Sequence, residues 1–195
     1  FVGGGFGGKS DPFPHEMCAA ILARKAGAPV RITFDREEVY WINRGRHPSH
    51  IDVKMTADTE GRISSFDIDA LIDGGGFASF GHVTSYYNGV LATAPYELGS
   101  FHYTGARVWT HKPASGAMRG HGAVNTRCAV EVGLDEMAES MMVDPIDLRL
   151  ANLLPPHSRT ISGFRITSNG MREALERVRD GSEWNTKFRQ LPLGK

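Results

Sequence analysis

The sequence is poor in most of the features that announce a function class. It has only two cysteines in 195 residues, Cys18 and Cys128, far apart and in no Cys-x-x-Cys pair. That spacing excludes an iron–sulfur cluster held by this chain alone and a structural zinc site, and leaves one disulfide open in principle. Two reduced, buried thiols are the expectation, as in a cytoplasmic protein. Excess charge of either sign is also missing, with 22 Lys plus Arg against 22 Asp plus Glu. There is no basic run with interleaved aromatics, so nucleic acid is not an expected partner. No apolar run reaches the ~18–20 residues of a membrane-spanning helix, and no membrane is expected. The sequence begins at Phe1, inside a glycine motif and without Met, and no signal peptide is expected from it. It therefore reads as a piece of something longer.

Glycine is what the sequence has in abundance, in places where it is costly. Val2-Gly3-Gly4-Gly5-Phe6-Gly7-Gly8-Lys9 makes a poor helix and a poor strand, because each glycine loses more backbone entropy on ordering than other residues. Such a run suits positive φ angles or close approach to a bulky group, with N–H groups facing an anion and Phe6 wedging one side. A flexible linker would carry Ser in place of Phe and Lys. A second cluster, Gly116-Ala117-Met118-Arg119-Gly120-His121-Gly122, predicts the other wall of one site.

Between these clusters the patterning predicts an α+β fold, a mostly antiparallel sheet with packed helices. A helix is expected over His15–Ala26, with Met17, Cys18, Ile21 and Leu22 on its apolar face and Gly27 as its cap. Val30–Phe34 alternates as a strand, and Asp35 opens a short helix to about Trp41. Arg44-Gly45-Arg46-His47-Pro48 is a basic turn. His50–Thr56 and Ile63–Asp73 alternate on either side of Asp58-Thr59-Glu60-Gly61 and form an antiparallel hairpin. Gly74-Gly75-Gly76 breaks the second strand. Helical spacing follows over Ala78–Thr93, through Phe80, Val83, Tyr87, Val90 and Leu91. Phe101–Thr104 and Ala106–Thr110 are strands, and Asn125–Met142 is the clearest amphipathic helix. Asp144 caps a helix with Pro145 in its first turn, and Ser168-Asn169-Gly170 caps another over Met171–Val178. The expected organisation is one domain over residues 1–178, with 179–195 a poorly ordered tail or the start of a further segment.

Four motifs in this order resemble a known family. They are Gly3-Gly4-Gly5-Phe6-Gly7-Gly8-Lys9, Arg44-Gly45-Arg46-His47-Pro48, Met118-Arg119-Gly120-His121-Gly122 and Asp144-Pro145-Ile146-Asp147-Leu148-Arg149-Leu150-Ala151-Asn152-Leu153. Together they are similar to the molybdenum-cofactor-binding subunit of the xanthine oxidase family of molybdenum hydroxylases. The resemblance implies a molybdopterin cofactor, in its plain or cytosine dinucleotide form, whose own dithiolene holds the metal. No protein metal ligand is then expected. It also implies cofactor contacts from Gly5, Phe6, Gly7, Gly8 and Arg119. Iron–sulfur clusters and FAD would come from partner subunits or domains, and the general-base Glu from a motif outside this chain. Glu16 and Glu131 do not sit in its context, so the chain by itself is expected to be inactive.

Departures from the family pattern narrow the expected substrate. Ser10 stands where many purine-hydroxylating members have Glu, and His121 where they have a stacking Phe. Tyr86 or Tyr87 falls where they have a clamping Arg, and no Cys adjoins Arg119 as in carbon monoxide dehydrogenases. Ser10, Tyr86, Tyr87 and His121 are the expected substrate contacts, for a small aromatic or hydroxyaromatic molecule. Among the relatives, 4-hydroxybenzoyl-CoA reductase is the leading expectation, with an aldehyde or N-heterocycle hydroxylase as its rival. The competing class is a non-enzymatic glycine-loop scaffold. A dinucleotide fold suggested by Gly3, Gly5 and Gly8 fails, because Pro12 and Pro14 interrupt the required helix.

Overall fold

A computed structural model describes residues 3–187. The ends of the chain, including Val2 of the first motif and residues 188–195 of the expected tail, lie outside the described residues. The class is α+β, as the patterning predicts, with three strands in the order β1-β2-β3. Strands β1 (Ser49–Ala57) and β2 (Ile63–Asp73) form the hairpin. They run antiparallel, as the bonds from Asp58 N to Arg62 O and from Asp73 N to Pro48 O require. Asp58 builds the turn: its Oδ1 accepts from Glu60 N at 2.9 Å and Arg62 N at 2.8 Å, and Gly61 takes φ 79°. The two expected late strands are a single one, β3 (Ser100–Val108). It runs parallel to β2, since Gly74 N donates to Val108 O at one end and Gly99 lies against Ser64 at the other. The sheet is therefore mixed, because helix α3 (Gly81–Val90) provides the crossover that a parallel pair needs.

The chain divides into two compact units. The first takes Phe1–His50, Ala70–Asn88 and Gly105–Asn125. Its helices α1 (Pro14–Ala26) and α2 (Arg36–Ile42) begin where the sequence places them. Asp35 caps α2 by accepting from Glu38 N at 2.8 Å. The Glu16 carboxylate closes on Phe13 N at 2.8 Å, so the start of α1 is satisfied by its own side chain. Two expectations fail here. Val30–Phe34 is irregular, because alternation makes a strand only when a neighbour completes its ladder. The apolar face of α1 stays exposed, with Met17, Ile21 and Leu22 all about half accessible.

The second unit takes Ile51–Asp69, Gly89–Thr104 and Thr126–Lys195. It holds the apolar core, in which Ile63, Phe66 and Ile68 of β2 pack with Tyr96, Val130, Leu134 and Leu148. Helix α4 (Ala123–Ser140) buries Thr126, Val130, Leu134 and Ala138, one residue per turn, and Gly133 lets Met55 approach. Helix α5 (Pro145–Ala151) has Asp144 as its cap, accepting from Ile146 N at 2.7 Å. Buried Asn152 ties α5 to the hairpin turn by accepting from Ile63 N and donating to Gly61 O, both at 2.8 Å. Glu131 is structural: it accepts from Tyr96 Oη at 3.1 Å and Arg149 Nε at 2.8 Å and pairs with Arg127. Burial, then the adjacent Glu131 charge, push the Tyr96 phenol up to about 12. Helix α6 (Met171–Gly181) runs past residue 178, and α7 (Trp184–Lys187) follows, with Trp184 Nε1 donating to Asp144 Oδ2 at 2.8 Å. Cys18 and Cys128 are both exposed, contrary to the buried thiols expected, because each falls on the outward side of its helix.

Candidate functional site

The glycine loop is built on backbone geometry that few residues accept. Gly4, Phe6 and Gly7 all have positive φ, at 101°, 50° and 90°. For a phenylalanine this left-handed region is strained, and it persists only where surrounding contacts enforce it. Two hydrogen bonds do so here. Gly8 N donates to Gly5 O at 2.8 Å, and Phe6 O accepts from Arg119 N at 2.8 Å. The second bond joins the two glycine clusters directly. Gly7 makes that approach possible, since a Cβ there would lie 2.9 Å from the carbonyl of Ala117. The Phe6 ring lies across Gly4 and is 68% exposed. Ser10 Oγ donates to Gly7 O at 2.9 Å, so this side chain braces the loop from within.

The basic turn is the third part of this assembly, and no residue of it was among the expected site residues. Gly116 N donates to Gly45 O at 3.0 Å, and Arg46 Nη2 donates to Arg119 O at 2.8 Å. Arg44 pairs with Asp11, donates to Asp11 O at 3.0 Å and lies 4.2 Å from the Phe13 ring centroid. The only available signal was two arginines spaced around a glycine. Gly5, Phe6, Arg44, Arg46, Lys112 and Met118 line a cavity of about 480 Å³. Lys112 pairs with Asp73 at 2.8 Å, and that bond, with those from Thr110 and Gly75, holds the Asp73 carboxyl at about 2. Arg46 has no carboxylate partner among the described residues, and its Nη1 is buried and unpaired. The Arg119 guanidinium is exposed and makes no hydrogen bond among the described residues. A loop with open backbone groups and two uncompensated guanidiniums is arranged to hold an anionic group.

Beyond Arg119 the chain turns onto α3. Gly120 and Gly122 take φ 78° and 76°, and a Cβ on Gly122 would meet Thr84 O at 2.5 Å. The loop therefore lies flat on the helix, carrying His121 between the edges of Phe80 and Tyr87, at centroid distances of 6.2 and 5.9 Å. His121 Nε2 is hydrogen-bonded to Thr84 Oγ1, and His47 stacks 6.5 Å away. Burial, then the Arg46 charge, lower the His121 pKa. His47, 3% exposed, is held down to about 4 by burial, then by the charges of Arg107 and His121, with Asp73 opposing. Tyr87 touches His121 directly; Tyr86, 57% exposed, touches the Tyr87 ring at 5.6 Å. Helical spacing predicted the apolar stripe of α3 but missed its most buried positions, Gly81, Thr84, Asn88 and Gly89. Those residues are small or polar; Gly122 of the loop lies against Thr84 and Asn88, and the Arg107 side chain against Gly81.

Fold and site together define an α+β domain in which two glycine loops and a basic turn gather backbone and guanidinium groups on one surface. The chain belongs to the molybdopterin cofactor-binding domain family, whose profile matches residues 1–153. It is 34% identical over 188 residues to the xanthine dehydrogenase molybdenum-binding subunit of Escherichia coli O157:H7, covering 96% of this chain and 25% of that one. It is 30% identical to the nicotinate dehydrogenase large molybdopterin subunit of Eubacterium barkeri, covering 92% of this chain and 42% of that one. The aldehyde oxidoreductase structure from Desulfovibrio gigas superposes with a TM-score of 0.87 at 25% identity, over 97% of this chain and 21% of that one. The chain thus spans about a fifth to under half of the length of these relatives.

Proposed function

We propose that this chain is the cofactor-holding part of a molybdopterin-dependent oxidoreductase acting on an aromatic or N-heterocyclic substrate. The observation that carries the reading is the Phe6 O to Arg119 N bond, which makes two distant glycine clusters one surface. The residues fit the cofactor: Gly4 and Gly7 let the Phe6 ring and the Ala117 backbone close in to shape one loop face, and Arg46, with a buried unpaired Nη1, lacks a counter-charge among the described residues. The cofactor supplies the redox centre when bound. Gly5, Phe6, Gly7 and Gly8 shape its seat, and the planar guanidinium of Arg119 offers a fork of donors to its anionic face. Ser10 braces the loop, while Tyr86, Tyr87 and His121 give the substrate side an aromatic wall with a polar member. That wall supports 4-hydroxybenzoyl thioesters as one substrate type. The likeness to a nicotinate dehydrogenase subunit supports N-heterocycles as the other. A general base, iron–sulfur clusters and FAD would come from outside this chain.

The test is metal and pterin content of the full-length protein purified with its partners, from cells able to make the cofactor. Molybdenum near one per chain with releasable pterin is expected, and Arg119→Ala should lower both. Absence of both from the unsubstituted protein would replace this reading with a glycine-loop scaffold. Turnover of hydroxybenzoyl thioesters against N-heterocycles and aldehydes then identifies the substrate.

A further inference from the structure

We infer that Thr84 locks the His121 ring as a hydrogen-bond acceptor, so that the site selects substrates presenting an N–H or O–H donor to it. The selection rests on the reading above, in which His121 faces substrate; the lock does not. Thr84 is buried on α3, and its hydroxyl has a single proton. That proton goes to Phe80 O, at 3.1 Å, because a carbonyl oxygen can only accept. Towards His121 Nε2 the same hydroxyl is left with lone pairs, so both contacts are hydrogen bonds only when Nε2 carries the hydrogen. In a neutral imidazole the proton on Nε2 leaves Nδ1 as the acceptor. Nδ1 has no hydrogen-bond partner among the described residues.

The ring is not free to escape this arrangement. Gly122 holds its backbone on α3, Phe80 and Tyr87 flank it edge-on, and His47 stacks on it. Charging it is disfavoured by burial and by Arg46, and His47 beside it is neutral at pH 7. A substrate hydroxyl or ring N–H gains a partner at Nδ1. An ether oxygen or N-methyl group in its place meets a lone pair it cannot use.

Two readouts test this on the full-length protein. Nitrogen-15 NMR of labelled histidines, with the His121 signal assigned by its loss in His121→Asn, needs no cofactor. The Nε2–H tautomer is expected, retained in Thr84→Ser and lost or mixed in Thr84→Val. An Nδ1–H tautomer in the unsubstituted protein would overturn the lock. With the holoenzyme, kcat/KM for a substrate bearing the donor should exceed that for its methylated analogue by at least about tenfold, through KM. Thr84→Val should bring this ratio towards one, and Thr84→Ser should restore it. Equal values for the two substrates in the unsubstituted enzyme would overturn the selection. Failure of the cofactor reading is distinguishable, since it appears as missing molybdenum and pterin with the tautomer signal unchanged.

Discussion

The two units bury similar polar groups and very different amounts of carbon. In the unit that holds most of α4, Thr93, Thr126, Asn152 and Thr160 are buried beside a carbon core in which Phe66, Ile68, Val130 and Leu134 are at most 1% exposed. Its principal buried amide, Asn152, is matched by backbone partners on the hairpin turn and α5. In the unit containing the glycine loops, His47, Thr84, Asn88 and Ser115 are buried, and the closest approaches are between backbones across missing Cβ atoms. Apolar burial is worth roughly 25 cal/mol per Å² and asks little of direction. Hydrogen bonds between loops contribute less net free energy but constrain position closely. The first arrangement supplies stability, and the second supplies a surface whose atoms stay where a ligand needs them.

The comparison can be broken most forcefully at Phe66. Phe66→Ala should destabilise its unit by about 4 kcal/mol, through lost burial and a residual cavity, read as a lower urea midpoint. A change below about 1 kcal/mol would mean that the core is not where that unit's stability lies. Acid should strike the other unit. His47 is neutral in the fold, with its pKa lowered from the ordinary value near 6.5 to about 4. The unfolded chain therefore binds more protons in that window, and stability falls as pH drops from 6.5 to 4. The loss should reach about 3 kcal/mol and level off below pH 4, and His47→Gln should flatten the profile. A profile unchanged by that substitution would assign the acid sensitivity elsewhere. The smallest expected effect is at Gly7. Gly7→Ala forces a Cβ against the Ala117 carbonyl at a φ that L-residues avoid, at a local cost of about 2 kcal/mol. Cofactor retention should fall in Gly7→Ala while the urea midpoint of the α4 unit holds. Normal retention would separate the loop from the cofactor seat.

Legibility in the sequence followed the same division. The hairpin, α4 and the Asp144 cap were readable because periodicity and capping are local signals, set by residues within one or two turns. Val30–Phe34 carried the same alternation and formed no strand, because pairing is decided by a distant neighbour. On α3 the spacing was right and the burial was not, because what meets Thr84 and Asn88 is a loop with no side chain at Gly122. The candidate site was readable as two glycine clusters and one arginine. Arg46, His47 and Thr84 were not readable as parts of it.

The sequence by itself determined the helices and the hairpin, the caps, the turn at Asp58 and the presence of two loops that glycine builds. Each of these depends on the conformational limits of a few consecutive residues. Only the tertiary structure decided that Phe6 O would meet Arg119 N, that Arg46 would brace Arg119 O and that Thr84 would take His121 Nε2. Those contacts join residues 37 to 113 positions apart. They exist because backbones can touch where a Cβ is absent, and no local pattern encodes which distant backbone will arrive.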